Sequence, residues 1–221
     1  MFDWFLSSAG SGGPGLEKMR AEFGQMLDAG RHIFDAAANA FLGGTDLEVI
    51  RTDLFETEKR INSAEQQVRR ELVVHASVHG VIEFPACLVL MSIVKDAERV
   101  GDYAKNIFDL AELTAHPPTG EHRERLIVLK DRISKLMGAA RKVFDAQDKD
   151  GAADVICEAQ KAEDFCDEQI RALLQAEQDV DMPAAYVLAY RYFKRVISHT
   201  RNIASSIIQP IHKLDFPSKV K

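Results

Sequence analysis

The chain has 221 residues, of which 46% are apolar and 28% charged, proportions typical of a globular protein rather than a fibrous or disordered one. A chain of this length buries roughly 70% of its unfolded surface, so it needs neither a disulfide nor a metal merely to fold. The net charge of −6 is unevenly distributed, because residues 182–221 carry seven Lys or Arg against one acid. The acidic balance of residues 1–181 argues against nucleic acid as the main partner.

Features that direct a chain to or across a membrane are missing from the sequence. Apolar runs are too short for a membrane span, and residues 1–15 contain Asp3 within their apolar part and no basic residue, so no signal peptide is expected. The three cysteines form no Cys-x-x-Cys pair and are typical of reduced thiols. We therefore expect a soluble, cytoplasmic protein that is peripheral to a membrane at most.

Helix signals recur about every thirty residues and predict six helices. Gly43 and Gly44 end the first helix, and Thr45 to Glu48 have the spacing of a capping box that begins the second. Pro85 and Pro183 suit the first turns of the third and sixth. The helices are expected at about residues 16–41, from the capping box at 45–48 to about 74, 85–116, 121–146, the segment that follows Gly151, and 181–208.

An internal repeat relates the two halves of the chain. The segment Ala29–Ala36 recurs as Ala139–Ala146, with Ala, Arg, Phe, Asp and Ala at the same spacing and an offset of 110 residues. Matches in the later helices keep the same order at shorter offsets. The sequence therefore predicts an all-α protein of two tandem three-helix up-down bundles. The expected divisions are an N-terminal arm over 1–15, a first repeat over 16–116, a second repeat over 117–214 and a tail over 215–221.

The most specific pattern lies in the third helix, where Glu98-Arg99-Val100-Gly101-Asp102 is followed by Asn106-Ile107. Together with acidic pairs in the second helices, this run resembles the signature of the PhoU family. The resemblance implies two three-helix bundles, often in a homodimer, that regulate phosphate uptake and phosphate signalling. It implies as partners the ATPase subunit of a phosphate ABC transporter, a sensor histidine kinase or another phosphate transporter. Some family members bind iron or zinc clusters through the paired acids.

The residues themselves also point to a site in the first repeat. Glu98 and Asp102 lie one turn apart at the edge of a core-facing stripe, and like charges at this spacing destabilise a helix unless something compensates them. A divalent cation such as Fe, Zn, Mn or Mg would do so, with Glu58 and Asn62 of the second helix completing an oxygen-rich set. The alternative needs no metal. Lys95 lies three residues before Glu98 and Lys105 three residues after Asp102, so each acid could form an ordinary exposed ion pair.

The second repeat departs from this pattern. Glu163 and Asp167 remain in its second helix, but Lys194 and Ser198 stand where the family pattern has acids in its third helix. Any metal should therefore favour the first bundle, because an ammonium group repels a cation. The second bundle is expected to bind an anion or an acidic protein surface instead.

The sixth helix is basic and supplies the candidate contacts for such a partner. No acid occurs between residues 182 and 214, whereas residues 157–181 carry eight acids against two bases. The bases could serve only to neutralise the neighbouring acidic helix, or they could form a docking face for an acidic partner or a phosphate-bearing ligand. The candidate residues for docking are Arg191, Lys194, Arg195, His199 and Asn202.

Catalysis finds no support in the sequence. It contains no phosphate-cradling glycine loop and no recognisable Ser, His and Asp set. His75 and His79 have chelating spacing on a helix, but at a helix end we expect them to be solvent-exposed rather than metal-bound. The leading hypothesis is a non-enzymatic adaptor, and the alternative is a metal-binding or metal-storage protein.

Residues 1–6 contain several large apolar side chains before a Gly/Ser-rich linker. Such groups seldom remain in water, because each gains roughly 1.5–3 kcal/mol on full burial. We expect them to dock on the bundle or across a subunit interface.

Overall fold

The computed structural model describes residues 13–79, 82–175 and 181–214, and within these ranges it contains helices and no strand. The elements are α1 (Pro14–Phe41), α2 (Leu47–His79), α3 (Phe84–Leu113), α4 (Gly120–Ala146), α5 (Lys149–Leu174), α6 (Pro183–Ile208) and a 3₁₀ turn (Ile211–Lys213). Helices α1 to α3 pack as one bundle and α4 to α6 as a second. The predicted all-α, two-bundle fold is confirmed. Most of the predicted N-terminal arm and the whole tail lie outside the described residues.

Helix boundaries follow the predicted starts and ends with three differences, the first of which is that α3 ends at Leu113 and not near residue 116. Helix α2 continues to His79, and its first turn is capped by Asp46, which accepts a hydrogen bond from the Glu48 backbone N–H at 2.9 Å. Helix α5 begins before Gly151 rather than after it, because the Asp148 side chain accepts the Gly151 N–H at 3.1 Å and caps the helix. Among the described helices, none has the length and apolarity needed to cross a membrane.

The core of each bundle is built from one face of each helix. On α3 the predicted stripe is buried over its whole length, and Gly101 lies against Ile61 of α2 and Ile33 of α1. Three helices therefore meet at this point, and a Cβ added at Gly101 would be in ordinary van der Waals contact with both isoleucines. The stripe comprises Leu90, Val94, Ala97, Gly101, Ala104 and Phe108.

The repeated segment of α1 and α4 forms a reciprocal contact between the two bundles. Arg31 of α1 donates to Ser134 Oγ of α4 at 3.1 Å, and Arg141 of α4 donates to the carbonyl oxygen of Gly24 of α1 at 3.0 Å. Each arginine also pairs with the aspartate four residues further along its own helix. Because both the arginines and their contacts are related by the same offset of 110 residues, the bundles meet around an approximate twofold axis.

Candidate functional site

The acidic pair of α3 lies half-buried at the side of the first bundle. Burial raises the pKa of Glu98, and the negative charge of Asp102 one turn away raises it further. Arg99 provides the cation for both acids, at 3.4 Å from Glu98 Oε2 and 2.8 Å from Asp102 Oδ2. Neither Lys95 nor Lys105 forms the alternative ion pair with these acids, and Lys105 lies over the Phe55 ring.

Glu58 and Asn62 of α2, which were expected to complete this site, bond to each other. Asn62 Nδ2 donates to Glu58 Oε1 at 3.0 Å, while the Asn62 Oδ1 atom is buried and accepts no hydrogen bond from the described residues. The negative charge of Glu65, which was not among the predicted site residues, also raises the pKa of Glu98. Glu65 lies seven residues after Glu58 and therefore on the same face of α2, which is the signal that could have identified it.

The second bundle holds its acids with its own cations. Lys194 Nζ of α6 lies 2.6 and 2.5 Å from the two carboxylate oxygens of Asp167. Ser198 Oγ donates to Glu163 Oε1 at 2.7 Å, and Arg201 Nη1 lies 3.2 Å from Glu163 Oε2. The two residues that replace the expected acids of α6 therefore bind the acids that remain on α5.

Two other arginines of α6 are not used in this way. Arg191 is exposed and Arg195 half-buried, and among the described residues neither forms an ion pair or a side-chain hydrogen bond. They lie one turn apart and so occupy neighbouring positions on the helix surface. Part of the basic charge of α6 thus neutralises α5, whereas Arg191 and Arg195 are not neutralised by any residue in the described part of the chain.

His199 and Asn202 connect α6 to the first bundle. His199 Nδ1 lies 2.8 Å from Asp96 Oδ1, and Asn202 Nδ2 donates to the same oxygen at 3.0 Å. Asp96 is only 7% exposed, and the His199 ring stacks on Tyr103 of α3 at 5.7 Å between ring centroids. Asp96 was not among the candidates predicted from the sequence, although it lies three residues after the core residue Ile93 and therefore on the buried face of α3.

These residues supply a partial donor set for a divalent cation. The carboxylates of Glu98 and Asp102 and the unpartnered Asn62 oxygen have the chemistry that a hard or borderline cation accepts. In the part of the chain that the structure describes, no three His, Cys, Asp or Glu side chains converge on one point. A cation in the first bundle would have to draw these side chains together. In the second bundle Lys194 and Arg201 already neutralise the acids.

Comparison with known proteins agrees with this architecture. Residues 23–111 match the family model of the PhoU domain, which confirms the resemblance found in the sequence. The structure is similar to PhoU from Pseudomonas aeruginosa, with a TM-score of 0.73, 20% identity, and coverage of 90% of this chain and 97% of that chain. It is also similar to the phosphate transport system regulatory protein PhoU from Streptococcus pneumoniae, with a TM-score of 0.72, 16% identity, and coverage of 93% and 97%. No curated protein matches the sequence.

Proposed function

Because the chain carries a PhoU domain on the fold of PhoU proteins, we propose that it is a cytoplasmic regulator of phosphate transport that acts by binding other proteins. The main structural support for binding to another protein is the pair Arg191 and Arg195 on α6. Lys194 and Arg201 on the same helix are paired with acids of α5, whereas these two arginines have no acidic partner among the described residues. They fit an acidic surface on a partner protein.

Two guanidinium groups one turn apart favour a partner that presents carboxylates, because arginine binds carboxylates through paired hydrogen bonds. We propose as partners the ATPase subunit of a phosphate ABC transporter or the cytoplasmic part of a sensor histidine kinase. Contacts of this kind speed association and set specificity, and they weaken as salt screens them.

Charge reversal tests this docking face. The variant Arg191→Glu with Arg195→Glu should weaken binding to the purified ATPase subunit, or to the kinase domain, by about tenfold or more and reduce its salt dependence. A matched control reverses two exposed bases of α2, Lys59 and Arg70, with the same change in net charge. Binding measured by biolayer interferometry at two salt concentrations should be unchanged in the control. Equal losses in both variants would show a general charge effect and contradict the proposal.

The cellular role has its own test. Deleting the gene should alter phosphate uptake and alkaline phosphatase activity when phosphate is plentiful. If both remain at the parental level, the regulatory function is wrong, whatever the binding assay shows.

A second candidate function is metal binding in the first bundle, favoured by the unpartnered Asn62 oxygen on α2 and by the acidic pair Glu98 and Asp102 on α3. Calorimetric titration with Mn²⁺, Fe²⁺ and Zn²⁺ should show binding that Glu98→Gln with Asp102→Asn abolishes. The matched control neutralises Asp164 and Glu168, two exposed acids with the same spacing on α5. No heat in the parent protein, or equal loss in the control, would rule out this site.

A further inference from the structure

The tip of the first bundle, defined here as residues 71–79 at the end of α2 and 82–90 at the start of α3, exposes several large apolar side chains. Val74 and Val78 lie one turn apart on α2, with 64% and 71% of their surface exposed. Phe84 and Leu88 have the same spacing on α3, and Ile82 precedes them with 68% of its surface exposed. Single exposed apolar residues are ordinary, but this many at one end of two neighbouring helices indicates a surface that something covers.

The same tip holds the point at which residues 1–12 join the described chain. The Gly13 backbone N–H donates to Glu83 Oε1 at 2.8 Å, and the other oxygen of Glu83 bonds to His75 Nε2. His75 is buried rather than exposed as expected, because its ring is held between Glu83 and the start of α1. A Cβ on Gly15 would lie 2.8 Å from His75 Nδ1, so the backbone of α1 approaches the ring closely. The beginning of α1 is therefore fixed to the tip.

The segment that precedes Gly13 is long enough to reach this surface. Residues 7–12, Ser-Ser-Ala-Gly-Ser-Gly, can span at most about 20 Å when extended. Phe84 directly follows Glu83, and Leu88 lies about 6 Å further along α3. The opposite ends of the same helices, near Val49 and Leu113, lie about 44 Å away along the helix axis and are beyond this reach.

We propose that the apolar side chains of residues 1–6 cover the tip of the first bundle of the same chain. The segment supplies Met1, Phe2, Trp4, Phe5 and Leu6, which match an apolar surface in chemistry. Its short linker makes the same chain a better occupant than a second copy, because a tethered segment has a high effective concentration at a nearby surface. This surface belongs to α2 and α3 and does not include the arginines of α6, so the proposal is independent of partner binding.

Trp4 is the only tryptophan of the protein, and its fluorescence therefore reports on this segment alone. In the parent protein, its emission should be at short wavelength and iodide should quench it weakly. The tip variant Val78→Asp with Phe84→Asp should shift the emission to longer wavelength and raise the quenching constant several-fold. The matched control Val49→Asp with Leu113→Asp places the same charges at the far ends of the same helices and should leave both readings at the parental level.

Each other outcome contradicts the proposal. Emission of a fully hydrated tryptophan in the parent protein would show that the segment is not docked, and equal changes in the two variants would show that it docks elsewhere. Protection from iodide that disappears on dilution would assign the tip to a second copy of the chain. Because all four positions are exposed, the substitutions should change folding little, which circular dichroism checks.

Discussion

Removing the charge of Arg201 should destabilise the protein far more than removing that of Lys194, although both belong to the same α5–α6 network. The Glu163 side chain is only 5% exposed, so the variant Arg201→Met leaves a buried carboxylate with the Ser198 hydroxyl as its remaining partner. Loss of one member of a buried ion pair lowers the free energy of unfolding by about 3–5 kcal/mol. Because Arg201 is partly exposed, we expect a loss of about 3 kcal/mol. Methionine keeps most of the aliphatic stem, so little of this loss comes from packing.

Lys194→Met is the matched control because its partner, Asp167, is 46% exposed and regains water when the lysine charge is lost. The expected cost is about 0.2–1 kcal/mol. For a chain of this size, 1 kcal/mol lowers the melting temperature by about 2–4 °C, which gives about 6–12 °C for Arg201→Met and less than about 4 °C for Lys194→Met.

Differential scanning calorimetry at neutral pH measures both shifts. Adding Glu163→Gln to Arg201→Met should restore much of the stability, because the amide carries no charge that must remain buried. If the two methionine variants melt within a degree of each other, burial does not set the strength of these ion pairs. Internal cations would then not be what stabilises the acids of the second bundle.

Three further predictions concern individual groups. Because burial and Asp102 raise the pKa of Glu98, the folded protein holds the Glu98 proton more tightly than the unfolded chain. The stability of the protein should therefore fall as pH rises above the ordinary pKa of 4.5. Thermal unfolding curves should show that Glu98→Gln removes this decline. Burial raises the pKa of Cys166 to about 12, so a thiol reagent should modify the exposed Cys157 rapidly and Cys166 only on unfolding, as mass spectrometry of labelled peptides would show. The variant His199→Ala should lower the free energy of unfolding by about 1–3 kcal/mol, because it removes a hydrogen-bond donor to the buried Asp96. Chemical denaturation should show a smaller loss when Asp96→Ala is already present. Equal losses in the two backgrounds would show that the two residues are not coupled.

The helices were predictable because their signals are local. Apolar residues at helical spacing mark the buried faces, and glycines and prolines mark the connections, so five of the six expected starts lie close to the observed ones. The exception, α5, begins earlier because the Asp148 cap was not recognised. The internal repeat predicted the two bundles, since similar segments fold into similar units.

The candidate site was predictable only in part, because helical periodicity shows which face of a helix is buried but not which residue lies opposite. The sequence shows Lys194 and Ser198 where the first repeat has Glu98 and Asp102, but their contacts with Asp167 and Glu163 depend on the packing of α5 against α6 and required the structure. His199 stayed a candidate for partner binding in the sequence because Asp96, its neighbour in space, precedes it by 103 residues.

One difference between the repeats falls at a position that faces different surroundings in the two bundles. Arg31 and Arg141 are identical in kind and make reciprocal contacts across the α1–α4 interface, where a change in one half would alter a contact shared by both. Glu98 and Lys194 also correspond, but each faces only its own bundle, so one can be an acid and the other a base without disturbing the twofold arrangement. The reciprocal arginines thus join the bundles at the α1–α4 contact, and α3 packs against α6 as well, while the two bundles carry opposite charges at the position of Glu98 and Lys194.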